Sequence, residues 1–135
     1  MTKRIFHSIW TASLTVFLVT MLMIFGVAEL IRMIVYNLCD NAIKYNREGG
    51  SVQMTVRAGT LTVKDSGIGI PPEYIDRIFE RFYRVDKSHS KEVGGTGLGL
   101  SIVKHAVALH GAEISVDSTP NVGTEIRVKF KQGKH

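Results

Sequence analysis

The sequence predicts an α/β chain that opens with a helix apolar on every face. Three observations carry this. From Ile5 to Ala28 there are 24 residues without Lys, Arg, Asp or Glu. Helical periodicity follows over Glu29–Tyr45 and returns after Gly99. Four short runs alternate apolar and polar residues, around Val52–Val56, Leu61–Val63, Ile114–Val116 and Ile126–Phe130. A chain of 135 residues has room for one domain whose core needs neither disulfides nor a structural metal.

Residues 5–28 come first. A helix of that length, rising 1.5 Å per residue, spans a hydrocarbon core of about 30 Å, so a single membrane pass in contact with lipid is expected. Lys3 and Arg4 precede the run, which favours an N-terminus left in the cytoplasm and places the rest of the chain outside. A cleaved signal peptide shares the basic start and apolar middle, with Gly26-Val27-Ala28 as a small-residue end. A buried or disordered tail is a third reading.

The formal charge of +5 is spread along the chain, with no basic run and no interleaved aromatic residues, which argues against a nucleic-acid partner. The single cysteine, Cys39, has no partner in the chain and is expected as a buried thiol, compatible with a reducing compartment.

Over Glu29–Tyr45, Leu30, Ile31, Ile34, Val35, Leu38 and Ala42 form a broad apolar stripe. Asn37, Asn41 and Lys44 recur at spacings of four and three, so one face presents two carboxamides and an ammonium. Amide oxygens can complete a Mg²⁺ shell, and a lysine can reach phosphate oxygens. The same face also reads as the polar side of an ordinary amphipathic helix, although two asparagines inside a helix fit that reading poorly. Asn46-Arg47-Glu48-Gly49-Gly50 ends the helix.

Val52, Met54 and Val56 share one side of a strand, and after Ala58-Gly59 the alternation resumes at Leu61 and Val63, which predicts a hairpin. Its second strand delivers Asp65 into Asp65-Ser66-Gly67-Ile68-Gly69-Ile70-Pro71-Pro72. A carboxylate there can accept a hydrogen bond from an exocyclic amine, with glycine backbone close to a base. Gly-x-Pro-Pro is equally a plain turn signal.

Glu73–Tyr83 reads as a short amphipathic helix on Ile75, Ile78, Phe79 and Phe82, the phenylalanines serving as core or lid packing. Arg81 and Arg84 can extend toward phosphates. Residues 85–93 read as a polar, mobile loop. Then Gly94-Gly95-Thr96-Gly97-Leu98-Gly99 runs into a helix, placing unhindered N–H groups at its positive end, as phosphate binding requires. Leu100 and Ser101 stand where a Walker motif needs Lys-Ser/Thr, and no strand of a βαβ unit precedes Gly94, so the dinucleotide fingerprint is also excluded. His105 and His110 read as structural. A last hairpin over Glu113–Asp117 and Thr124–Phe130 turns through Ser118–Gly123, and residues 132–135 form a polar tail.

In order, the Asn37/Asn41/Lys44 helix, Asp65-x-Gly67-x-Gly69, Ile78-Phe79-Glu80-Arg81-Phe82-Tyr83-Arg84, Gly95-Thr96-Gly97-Leu98-Gly99 and Gly123-Thr124 resemble the N, G1, F and G2 boxes and the closing hairpin of bacterial sensor histidine kinases. That catalytic domain belongs to the ATPase superfamily shared with gyrase, Hsp90 chaperones and mismatch-repair proteins. The resemblance implies a two-layer α/β sandwich, a mixed β-sheet behind helices that enclose ATP, over residues 29–131. It implies Asn41 as the principal Mg²⁺ ligand, supported by Asn37, with Lys44 completing the catalytic set. Lys44 and Tyr45 fall near phosphates and ribose, Asp65 on the adenine amine, and Gly67 and Gly69 around the base. Arg84, Gly95, Thr96, Gly97, Leu98 and Gly99 fall around the triphosphate.

Such kinases phosphorylate a histidine on a dimerisation domain, commonly followed by Glu or Asp and then x-x-x-Pro, and from there serve a response regulator. The first four histidines here precede Ser8, Ser90, Ala106 and Gly111, and the fifth is His135, so none has that setting. A membrane helix joined directly to the last domain reads as a truncated, internally deleted or engineered arrangement. The expected function is therefore ATP-dependent phosphorylation of a histidine supplied in trans. The alternative is a membrane-tethered ATP-binding module without kinase activity. An anti-sigma-factor serine kinase shares the fold, but typically lacks the membrane helix and the aromatic segment.

Overall fold

The computed structural model describes residues 2–84 and 98–132. They form helix α1 (Thr2–Lys44), strands β1 (Val52–Arg57) and β2 (Thr60–Asp65), a 3₁₀ turn (Pro72–Tyr74), helix α2 (Gly99–Leu109), and strands β3 (Glu113–Thr119) and β4 (Gly123–Lys129). The two helical stretches expected over 5–28 and 29–45 are thus one element, since no proline interrupts the sequence between them. The chain divides into two compact units, Met1–Arg32 and Met33–His135.

In the first unit Ile9, Trp10, Val16, Phe17, Leu22 and Phe25 are all exposed. The helix is long and apolar enough to cross a membrane by length and composition. Three of its hydroxyls are satisfied internally: Thr11, Thr15 and Thr20 donate to the carbonyls of His7, Thr11 and Val16 at 3.0, 2.8 and 2.7 Å.

The second unit is an α/β structure with a four-stranded sheet in the order β1-β2-β4-β3. The expected mixed sheet resolves into three ladders that are all antiparallel. Two of them are hairpins, whose short connections permit no other pairing. β2 and β3 do run in the same direction, but β4 lies between them. The β1–β2 turn places Ala58 and Gly59 at φ 49° and 74°, the left-handed pair that a two-residue hairpin favours.

Register aligns one apolar face across the sheet. Met54 opposes Val63 and Val56 opposes Leu61. Val63 and Leu61 oppose Ile126 and Val128, which oppose Val116 and Ile114. Ile34, Leu38 and Ala42 of α1 and Val103, Ala106 and Val107 of α2 are buried with Leu61, Val63, Ile126 and Val128. Full burial of a side chain such as Leu38 or Val128 contributes about 1.5–3 kcal/mol.

Coverage fails at the β1 edge, where Val52, Met54 and Val56 are 39%, 50% and 74% exposed. Cys39, expected buried, is half-buried there, its Sγ 3.9 Å from Met54 Sδ. Ser66 N donates to Ser51 O at 3.1 Å. By alternation, the backbone groups of Val52, Met54 and Val56 point away from β2.

The helix expected over Glu73–Tyr83 is absent. After the 3₁₀ turn the chain continues in turns, with Arg77 N, Glu80 N and Tyr83 N reaching back three residues to Tyr74 O, Arg77 O and Glu80 O. Phe82 takes φ 62°, outside any right-handed helix. Of the expected packing residues Ile78 is buried and Phe79 half-buried, whereas Phe82 is 70% exposed.

Candidate functional site

Three segments meet beside the C-terminal half of α1. Asn37 turns its Nδ2 back onto Met33 O at 2.8 Å. Its Oδ1 is thereby aimed at the start of α2, where a Cβ built on Gly99 would stand 3.3 Å away. Asn41 is half-buried one turn further along. Lys44 is also half-buried and pairs with Asp40 at 2.8 Å, on the flank of the asparagine face. Glycine at this position lets α2 approach the Asn37 carboxamide without the tight contact that a Cβ would make.

The chain leaving β2 packs against the end of α1. Ile68 N donates to Tyr45 O at 3.1 Å. A Cβ on Gly67 would lie 2.2 Å from Tyr45 O and 2.8 Å from Asp65 Oδ1, so no larger residue fits. Gly69, at φ 68°, is equally tight against Thr119 O, 2.2 Å from its hypothetical Cβ.

Asp65 is held by its neighbours. Gly67 N donates to Oδ1 at 2.8 Å and Thr124 N to the same oxygen at 3.3 Å. Both hydrogen bonds described for this carboxylate fall on one oxygen, which leaves Oδ2 to accept from an amine. Burial pushes the carboxyl above the ordinary carboxylate range, a rise that the two N–H donors oppose.

Thr124 is buried, and its hydroxyl lies 2.8 Å from Ser118 Oγ, which also accepts from Ile70 N at 2.8 Å. The sequence places Gly123-Thr124 in the closing hairpin, with no site role for Thr124. The β2–β4 register, which sets Asp65 opposite Thr124, is what makes Thr124 part of the site.

The structure therefore brings Asn37, Asn41, Lys44, Tyr45, Asp65, Gly67, Gly69 and Gly99 to adjoining segments. Leu98 precedes α2 and accepts from Ile102 N at 3.0 Å and Ser101 Oγ at 2.7 Å. Arg84 is half-buried. Gly95, Thr96 and Gly97 lie outside the described residues, as do residues 85–93, expected as a loop.

Among the described residues no group of three or more His, Cys, Asp or Glu could hold a metal. Carboxamide oxygens remain as donors, which suits Mg²⁺ held by one or two protein ligands together with phosphate oxygens. His105 is exposed, and His110 is half-buried with its ring edge-on to Phe130 at 5.6 Å.

A family model described as histidine kinase-, DNA gyrase B-, and HSP90-like ATPase matches residues 26–134. Over 106 residues the chain is 45% identical to the sensor histidine kinase YkoH of Bacillus subtilis (strain 168), covering 77% of this chain and 23% of YkoH. It is 43% identical over 102 residues to the sensor histidine kinase WalK of the same organism, covering 71% and 17%. The chain thus spans less than a quarter of these relatives' length.

Among solved structures, the mycobacterial sensor histidine kinase MprB superposes with a TM-score of 0.61 at 35% identity, covering 74% of this chain and 68% of that one. Full-length ShkA in complex with AMPPNP gives 0.61 at 32% identity, covering 73% and 20%.

Proposed function

This chain belongs to the histidine kinase-, DNA gyrase B-, and HSP90-like ATPase family, as an ATP-binding catalytic domain of the sensor histidine kinase type, and from that premise we propose that it binds Mg-ATP and donates the γ-phosphate to a protein histidine. The family generally uses ATP and Mg²⁺. In our reading residues 29–131 form the ATP-binding domain, 5–28 a single membrane pass and 132–135 a tail.

Asn41 binds Mg²⁺ with Asn37 supporting that face, and Lys44 and Arg84 meet phosphates. Tyr45 lies by the ribose, Asp65 accepts the adenine amine, and Gly67 and Gly69 admit the base. Gly95, Thr96, Gly97, Leu98 and Gly99 surround the triphosphate. The observation that carries the reading is Asp65, with one oxygen saturated by backbone donors and the other left for an amine. The ligand in ShkA, AMPPNP, supports a nucleotide in this fold.

The acceptor is a histidine-containing dimerisation domain, supplied in trans, with a response regulator downstream. Proximity dominates such transfer, so the isolated chain is expected to bind nucleotide with little self-phosphorylation. The second reading, a membrane-tethered ATP binder without kinase activity, is favoured by the absence of the acceptor pattern around all five histidines. The ATP-binding face requires cytoplasm, which the flanking Lys3 and Arg4 disfavour for a single pass.

Incubation with labelled ATP, with and without a dimerisation domain from a related kinase, separates the two. Label on the added histidine supports transfer, and bound ATP without labelled protein supports the binder. Isothermal titration of Mg-ATP against Asn41→Ala and Asp65→Ala tests the pocket. Undiminished binding in both variants would refute the assignments.

A further inference from the structure

Arg47 lies in the loop after α1, outside every residue assigned above. Its Nη2 donates to two carbonyls far apart in sequence, Gly67 O at 3.0 Å and Asn121 O in the β3–β4 turn. Those two segments are also joined directly, because Asn121 N donates to Ile68 O at 2.8 Å. The peptide linking Gly67 to Ile68 is therefore held at both poles, its carbonyl by Arg47 and its N–H by Tyr45 O.

That peptide is one residue from the donor that orients the base acceptor, since Gly67 N holds Asp65 Oδ1. Both bonds leave one nitrogen, Nη2, whose two N–H groups are fixed in the guanidinium plane, whereas an ammonium at the end of a flexible stem holds no such fixed directions. Hydrogen bonds to a charged donor are also stronger than neutral ones.

We propose that Arg47 is the positioning residue of the base pocket, fixing the Asp65 carboxylate through the Gly67–Ile68 peptide and so setting the preference for adenine over guanine. The proposal rests on the reading of Asp65 as the acceptor of the adenine amine. At the corresponding ring position guanine presents a carbonyl oxygen, which a fixed carboxylate repels. Discrimination of this kind depends on the acceptor being unable to move away, because a mobile carboxylate turns aside and tolerates the wrong base.

The test uses the full chain in detergent, with Mg-ATP and Mg-GTP titrated into wild type, Arg47→Ala and Arg47→Lys. Amide exchange is followed in the nucleotide-free proteins. R47A is expected to weaken ATP about five- to tenfold, the effect of losing a partly exposed charged hydrogen bond, while GTP changes by less than about twofold. The ATP-to-GTP affinity ratio falls accordingly, R47K recovers part of it, and the Gly67 and Ile68 amides exchange faster in R47A.

A ratio in R47A equal to wild type, with a lower thermal midpoint, assigns Arg47 to stability alone and overturns the proposal. Should R47A fail to fold, R47K decides in the same way, because an unchanged ratio there overturns it and a reduced one supports it. Wild-type protein that does not prefer ATP to GTP, or D65A that binds ATP as tightly as wild type, overturns the adenine reading itself. An intact wild-type preference with an unchanged R47A ratio overturns only the role of Arg47.

Discussion

Gly123 lies against Asp65 so closely that a Cβ on the glycine would stand 2.0 Å from the Asp65 carbonyl oxygen. The contact is backbone on backbone, and Gly123 also holds φ 147°, so neither partner can yield cheaply.

Gly123→Ala is accordingly expected to lose about 3–5 kcal/mol of stability, from overlap and positive φ together. Gly111→Ala is the control. That residue also has a positive φ, 62°, but nothing lies within 4 Å of its Cβ, so about 1 kcal/mol is expected. Urea denaturation of the two variants checks the difference, and equal losses would show that the contact with Asp65 carries no weight.

The raised Asp65 carboxyl sets a pH dependence. Burial makes the folded state hold this proton to higher pH than the unfolded chain does. The stability it contributes is complete below the unfolded value, about 3.9, and is lost as pH rises through the elevated folded value. Asp65→Asn keeps an acceptor for the Gly67 and Thr124 N–H groups but cannot ionise. The melting temperature of nucleotide-free wild type, relative to D65N, should therefore fall across that window. A constant offset at all pH values would contradict it.

Leu38 is 1% exposed at the centre of the α1 contribution to the core. Leu38→Ala should cost about 2–5 kcal/mol through lost transfer energy and the cavity left behind. Leu109→Ala, at a residue 62% exposed on α2, should stay within about 0.5 kcal/mol. Chemical denaturation of both variants provides the comparison.

Leu18 lies near the middle of the apolar stretch and is 58% exposed. An arginine at the centre of a spanning helix costs about 2.5–3.5 kcal/mol of insertion. Wild-type protein should remain with membranes after alkaline extraction, whereas Leu18→Arg should shift measurably to the soluble fraction. Equal release of both proteins would count against insertion.

Much of this fold is legible in short-range pattern. Alternation and the Ala58-Gly59 pair give the first hairpin its register, and the helical stripe names Ile34, Leu38 and Ala42 correctly as core. The misreadings arise where tertiary contacts decide. Ile75, Ile78, Phe79 and Phe82 have helical spacing, yet that segment folds through three-residue turns and ends with Phe82 in a left-handed conformation. Cys39 has an apolar setting on α1, but the strand it faces is an edge, and a sequence does not reveal which strand stands last.

The site divides in the same way. Asp65, Gly67 and Gly69 are close in sequence, and their glycines announce tight backbone. Thr124 and Arg47 act across the chain, 59 residues from Asp65 and 74 from Asn121 respectively, and no local spacing connects them to the pocket.

The unfinished side of the sheet has a practical consequence. With the peptide groups of Val52, Met54 and Val56 facing solvent beside an apolar row, β1 can template accretion by any extended chain of matching alternation. Edge-to-edge pairing through β1 is therefore expected to grow with concentration, and a lysine replacing Val56 is the natural remedy before crystallisation or spectroscopy.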